Sequence, residues 1–179
     1  IYVLRKDLLI EYVENAYSRG HVDFEKDILF KEVENGRLYA YEVEGYAAIV
    51  DDVKTYYAES MRLLERCVRE ELFGSEAKIY TKVKDSVPTV YGKNCKVTNS
   101  LIADGCVING TVENSILFRN VRIQEGAVVK NSIIMEDGVV MENSTLAYAI
   151  TDKNVTIREN RQISGFLTYP IVIVKNKVV

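Results

Sequence analysis

Asn99-Ser100-Leu101-Ile102, Asn114-Ser115-Ile116-Leu117, Asn131-Ser132-Ile133-Ile134 and Asn143-Ser144-Thr145-Leu146 repeat one phrase. A second phrase alternates with it: Asp104-Gly105-Cys106-Val107-Ile108, Glu125-Gly126-Ala127-Val128-Val129 and Asp137-Gly138-Val139-Val140-Met141. Read together, Val97, Ile102, Ile108, Val112, Leu117, Ile123, Val129, Ile134, Val140 and Leu146 form an apolar column that returns every five or six residues. That interval fits neither the period of a helix nor the alternation of a long strand. Aliphatics at about six-residue spacing, with small turn residues between them, mark a parallel β-helix whose faces are very short strands. Three such faces predict a coil of about eighteen residues. The aliphatics point inward and stack on the coil below, while Gly, Asn and Asp take the corners. Each buried aliphatic contributes about 1.5–3 kcal/mol as an upper bound, so the stack is the main stabiliser.

Beyond the repeats, Phe166-Leu167-Thr168-Tyr169-Pro170-Ile171-Val172-Ile173-Val174 is almost uniformly apolar and off the pattern. A solenoid cannot end on bare stacked aliphatics. The tail is expected to cap the β-helix, to pair with a neighbouring chain, or both; an aggregation-prone bare edge is the third alternative.

Working back from Val90, residues 75–89 are polar and mixed, the expected linker between two units. Before it, Asp51 or Asp52 caps a helix whose stripe is Val53, Tyr56, Tyr57, Met61, Leu64, Cys67 or Val68, and Leu72, closed by Gly74. At that spacing the Tyr and Met residues read as core. Leu38 to Val43 alternates and reads as a strand, as does Tyr2-Val3-Leu4. Between these strands, Asp7 caps a helix carrying Leu9, Tyr12, Val13, Ala16 and Tyr17 and ended by Gly20, and Asp23 to Val33 suggests a second short helix. The expected organisation is an α/β piece over 1–74, a linker over 75–89 and a β-helix over 90–179.

The 179 residues are 47% hydrophobic and 27% charged with a net charge of −3, which excludes the basic footprint of a nucleic-acid binder. They also lack a basic amphipathic face for a membrane surface and any apolar run long enough to span a bilayer. Cys67, Cys95 and Cys106 form no Cys-x-x-Cys pair and are odd in number, which suits buried thiols in a reducing cytoplasm. The first residues are strand-like, with no initiator Met, so the chain is expected to be a piece of a longer protein.

The order of α/β segment, apolar helix, linker and hexapeptide repeats now carries a resemblance. With Gly110-Thr111-Val112-Glu113-Asn114-Ser115 and Asp152-Lys153-Asn154-Val155, the whole chain resembles the C-terminal half of the ADP-glucose pyrophosphorylases (glucose-1-phosphate adenylyltransferases). Mannose-1-phosphate guanylyltransferases share the architecture but match these phrases less closely. The fold implied is an α/β fragment of a nucleotidyltransferase domain followed by an all-β left-handed parallel β-helix. The handedness comes from the resemblance, since the general crossover rule gives the opposite hand.

Resemblance also supplies the site expectations. The family's Gly-rich loop and basic nucleotide-handling residues are not found in the chain, so catalysis by it is not expected. An edge of the sugar-phosphate pocket is implied at Tyr2, Asp23 and Phe24, with Asp-Phe-Glu-Lys-Asp-Ile here differing from the family's phrase by Glu25 in place of Gly. The family's Gly-Tyr-Trp-x-Asp phrase is here Gly45-Tyr46-Ala47-Ala48-Ile49, placing Ala47 at the pocket Trp and Ile49 at the Asp expected to hold magnesium in active members. An aliphatic chain has no lone pair, so that ligand is lost and no metal is expected in this chain; Asp51 and Asp52 already have a role as caps. Such a chain is most like the family's paralogous non-catalytic subunit of glycogen biosynthesis. Its expected partners are the catalytic subunit, further copies of itself, or both, and a sugar-phosphate effector. Lys78, Lys93, Lys153 and Arg158, with Lys82, Lys84 and Lys96 near the linker, are the candidate anion ligands; the alternative is a solvated face. An active pyrophosphorylase remains the competing reading. Hexapeptide acyltransferases share the β-helix but typically use a His between coils as general base, whereas His21 lies outside the repeats.

Overall fold

A computed structural model of the chain describes residues 1–34, 38–74, 78–81 and 84–179. From Val90 onward the column of aliphatics becomes a solenoid with three parallel faces. The first face stacks Val90–Tyr91, Val107–Ile108, Arg122–Ile123, Val139–Val140 and Thr156–Ile157. The second stacks Lys96–Thr98, Thr111–Glu113, Val128–Lys130, Thr145–Ala147 and Gln162–Ser164. The third stacks Leu101–Ile102, Ile116–Leu117, Ile133–Ile134, Ala149–Thr151 and Ile171–Ile173.

Register shows how the column folds. On the first face Val90 pairs with Val107, Val107 with Arg122, Arg122 with Val139 and Val139 with Thr156. The coils therefore advance by 17, 15, 17 and 17 residues, not by the expected eighteen. The Asn-Ser corner is one residue tighter than a full hexad, and the 15-residue coil is shortened again at Asn109-Gly110. A Cβ on Gly110 would lie 2.4 Å from the Ala127 carbonyl oxygen and 2.7 Å from that of Gln124, so only Gly fits this close approach. Ile108, Val112, Leu117, Ile123, Val129, Ile134, Val140 and Leu146 are all fully buried, as the column predicts, whereas Val97 is exposed and Ile102 half-buried on the first coil.

Corners follow from residue type. Asn99, Asn114 and Asn131 hold left-handed φ of 42°, 46° and 46° in register, a conformation Asn tolerates better than most residues. Asn99 Nδ2 donates to Asn114 Oδ1 at 2.8 Å. The serines beside them point inward. The Ser115 hydroxyl donates to the Glu113 carbonyl at 2.7 Å and accepts the Ser132 N–H at 3.2 Å, and Ser132 repeats the pattern with Lys130 and Ala149. These hydroxyls join successive coils where the strands turn.

By contacts the chain divides into Ile1–Glu44 and Gly45–Val179. Of the helical residues expected in the α/β piece, those between 53 and 72 thus group with the solenoid, while those between 6 and 34 fall in the first unit. The predicted long helix is two helices, α3 (Val53–Arg62) and α4 (Arg66–Leu72), separated where Glu65 turns extended. Asp52 caps α3 in a reciprocal box with Thr55, and Val68, not Cys67, is the buried residue of α4. The stripe of α3 lies on the outside of the third face: Tyr57 packs with Ile116, Ile133 and Ile150, flanked by Tyr56, Met61, Leu64, Met135 and Tyr148. The Tyr57 hydroxyl donates to the Asn131 carbonyl at 2.7 Å.

In the first unit α1 spans Lys6–Ser18 and α2 spans Phe30–Glu34, the latter preceded by a π-helical turn, Phe24–Leu29. Arg5, not Asp7, is the N-cap of α1, and Gly20 closes it at φ +68°. Tyr2-Val3-Leu4 and Leu38–Val43 are not strands, because no ladder among the described residues pairs with them. Among the described residues of 1–44 none is buried, and Leu9, Val13 and Tyr17 of the expected apolar stripe are exposed.

After the insertion Gly165–Pro170, Ile171–Ile173 rejoins the third face against Ala149–Thr151, and Val178 bridges to Thr156 on the first. The tail thus supplies the outermost strand of the third face. Cys106 is buried, Cys95 partly so, and Cys67 is exposed, against the expectation of buried thiols throughout.

Candidate functional site

The residues implied for the sugar-phosphate pocket are brought together in the first unit. Asp23 stands at the N-terminus of the π-helical turn, where its carboxylate accepts the N–H groups of Glu25 and Lys26 at 3.0 Å each. Those bonds, the Lys26 N–H first, together with the Lys26 ammonium 3.5 Å away, hold the Asp23 carboxyl below its ordinary range. The next residue, Phe24, places its ring 5.8 Å from that of Tyr2 at a tilt of 58°. The Tyr2 hydroxyl donates to the Glu25 carboxylate, and this bond pushes the phenol upward. Asp27 accepts the N–H groups of Val22 and Asp23. The cluster is thus an aromatic pair beside three carboxylates. Its carboxylates can accept hydrogen bonds from hydroxyl groups, with the Lys26 ammonium beside them.

Ala47 and Ile49 lie in the second unit, on the segment that leads into α3. Gly45-Tyr46 is pinned at its start: the Tyr46 N–H donates to the Glu71 carboxylate and its hydroxyl to Glu59 at 2.6 Å. Arg62 bonds the same Glu59 at 3.0 Å and lies 4.9 Å above the Tyr46 ring. Ile49 is 82% exposed. The neighbouring carboxylates are engaged: Asp52 accepts the Thr55 N–H at 2.6 Å, and Asp51 accepts the Thr55 hydroxyl at 3.1 Å. This donor set does not fit magnesium. Among the described residues no group of three His, Cys, Asp or Glu is placed to hold a metal ion.

The basic residues do not converge. Lys93 and Arg158 occupy the same corner at opposite ends of the first face, four ladder steps or roughly 19 Å apart. Lys153 lies on another corner and bonds Glu136 at 3.0 Å, while Arg119 bonds the same carboxylate at 3.2 Å. Lys153 first and then Arg119 hold the Glu136 carboxyl below its ordinary range. Lys78, Lys84 and Lys96 are exposed, and Lys82 lies outside the described residues.

Two surface features were missed in the sequence. The shortened coil leaves a polar notch floored by Gly110 and Gly126 and flanked by Asn94, Asn109, Glu125 and Glu142. The four-residue step from Ile108 to Val112 was its signal. A groove also runs between α3 and the last coils, lined by Lys54, Tyr57, Met61, Tyr148 and Leu167. Tyr148 has φ +50°, replacing Asn in its ladder, and no sequence signal pointed to it.

The family model described as "GlmU-like, C-terminal hexapeptide" matches residues 80–166. Glycogen biosynthesis protein GlgD of Bacillus subtilis is 39% identical over 99% of this chain and 52% of its own length. GlgD of Geobacillus stearothermophilus is 40% identical, with 72% of this chain and 51% of the relative covered. Glucose-1-phosphate adenylyltransferase of Fervidobacterium nodosum is 34% identical over 88% of this chain and 38% of the relative. The chain spans about half the length of the GlgD relatives it matches.

Proposed function

Since this chain is a relative of the GlgD glycogen biosynthesis proteins and of the glucose-1-phosphate adenylyltransferases, we propose that it is the C-terminal portion of a regulatory, catalytically deficient subunit of ADP-glucose pyrophosphorylase. On this reading residues 1–44 and the helices after them derive from a nucleotidyltransferase domain, and the β-helix is left-handed. The solenoid is the assembly module. It joins the subunit to a catalytic relative, to copies of itself, or both, in the cytoplasm, and passes on the response to a sugar-phosphate effector.

The observation that carries the reading is the segment Ala47-Ala48-Ile49. Where active members are expected to present an aromatic wall and a metal-binding carboxylate, this chain presents a methyl group and an exposed aliphatic side chain. The nearest carboxylates are spent on capping α3. Catalysis of sugar-nucleotide formation depends on charge stabilisation at the phosphates, and an aliphatic side chain supplies none.

The 34% identity to a glucose-1-phosphate adenylyltransferase favours a second reading, in which the parent protein is itself an active transferase. One experiment separates the two. ADP-glucose formation is measured for the longer protein that carries this chain, alone and mixed with a catalytic relative, and for its Ala47→Trp, Ile49→Asp version. Inactivity alone, with altered kinetics of the relative on mixing, supports the regulatory subunit. Full activity of the unmodified protein alone gives the second reading.

A further inference from the structure

We propose that the groove between α3 and the last coils is a carbohydrate site, which holds an α-linked glucose chain against the ring of Tyr148.

The groove is a cavity of about 500 Å3 with three walls, all of them within Gly45–Val179. That volume lies in the range of small-molecule sites, about 300–1,000 Å3. One wall is a stripe of α3. Lys54, Ala58, Met61 and Arg62 fall at i, i+4, i+7 and i+8, along about 12 Å of helix. The second wall is a corner of the solenoid, at Asn131 and Tyr148. The third is Leu167-Thr168, the tip of a tight turn closed by two backbone bonds. In that turn the Phe166 N–H donates to the Tyr169 carbonyl at 3.1 Å, and the Tyr169 N–H donates back at 3.0 Å.

Tyr148 departs from its column. The equivalent corners on the preceding coils are Asn99, Asn114 and Asn131, a residue type that tolerates the left-handed backbone. Tyr148 holds φ +50° in the same place, an outlier for a bulky side chain. Strain of this kind gathers at ligand sites, where the surrounding structure enforces it. The groups beside it are open. Neither the Asn131 side-chain amide nor the Tyr148 hydroxyl forms a hydrogen bond within the described residues, since the Tyr57 hydroxyl goes to the Asn131 carbonyl. The groove thus offers an aromatic ring, an amide and a hydroxyl, with Met61 and Leu167 as apolar neighbours.

This chemistry selects the occupant. At the rim Lys54 and Glu65 carry opposite charges, and Arg62 is already bonded to Glu59 at 3.0 Å. A small anion meets Glu65 and a small cation meets Lys54, so charge favours neither. A neutral ligand with apolar faces and hydroxyl edges satisfies every group at once. Its C–H face lies on the Tyr148 ring, and its hydroxyls pair with Asn131, Thr168 and Glu65. A pyranose ring has that character. The choice of glucose rests on the function proposed above, since the relatives named there serve glycogen biosynthesis.

The test uses the longer protein that carries this chain, titrated with maltoheptaose by calorimetry. Tyr148→Asn restores the usual corner residue and removes the ring. Ala58→Phe fills the groove from the α3 wall and leaves Tyr148 in place. Arg122→Ala, on the first face, is the control. The native protein and Arg122→Ala are expected to bind, and both groove variants to bind at least tenfold more weakly. Tyr148→Asn is expected to melt no lower than the native protein, because it relieves the backbone. A lower melting temperature for Tyr148→Asn, with undiminished binding by Ala58→Phe, assigns Tyr148 to packing and overturns the proposal. So does a native protein that ignores maltoheptaose, or binding that survives both variants. Displacement of maltoheptaose by an equal concentration of inorganic phosphate makes the groove an anion site and equally overturns it. The enzymatic assay stands apart: activity of the parent protein alone removes the regulatory reading and leaves the titration unchanged.

Discussion

Thr151 takes the inward place held by Leu117 and Ile134 on the coils before it, and among the described residues its buried hydroxyl has no hydrogen-bond partner. Desolvating an unpaired hydroxyl costs about 1–3 kcal/mol. Thr151→Val is therefore expected to raise stability by about 1–2 kcal/mol, read as a higher denaturant midpoint at unchanged slope. Tyr57 shows the opposite case, a buried polar group with its partner in place. Burial first, and the neighbouring Tyr148 second, push its phenol from 10.0 up to about 12. Between those two values the unfolded chain has lost a proton that the folded chain keeps, so stability falls as pH rises from about 10 to about 12. Tyr57→Phe should remove that part of the alkaline loss, measured as the difference in unfolding free energy across the same pH range. The Tyr stripe was legible as core from its spacing. The hydrogen bond to Asn131 was not, because it spans 74 positions of sequence.

At the scale of elements, the corners hold the coils in register. Ser132 is fully buried, and its hydroxyl both donates to the Lys130 carbonyl and accepts the Ala149 N–H. Ser132→Ala leaves a buried N–H unpaired and is expected to cost about 1–3 kcal/mol, measured by chemical denaturation. Ser164, at an exposed strand end, provides the contrast, and Ser164→Ala should change the midpoint little. The Asn-Ser phrase announced a corner, yet only the stacked coils show why Ser follows Asn at 99, 114 and 131: Asn supplies the left-handed turn and Ser the bond to the next coil. The helix between 53 and 72 was legible by its stripe but not in its break. Arg69 turns back to bond the Leu63 carbonyl at 2.7 Å, satisfying a group freed where α3 ends.

Across the whole chain, burial is concentrated in the solenoid. Among the described residues of 1–44 none is buried, whereas the column from Cys106 to Ile157 is almost completely enclosed. Amide hydrogen exchange should therefore be fast over 1–34 and 38–44 and slowest between about 107 and 157, because local opening is cheapest where least apolar surface is lost. Equal protection in the two regions would contradict this distribution. The sequence by itself determined the repeat, the inward column and its short strands, because each coil reuses the same local rule: a small residue at the corner, then an aliphatic two places on. Only the tertiary structure decided that α3 packs on the third face, that the basic residues lie apart and that the apolar tail rejoins the ladder. Each of these depends on which distant segments meet, and periodicity along the chain carries no such information.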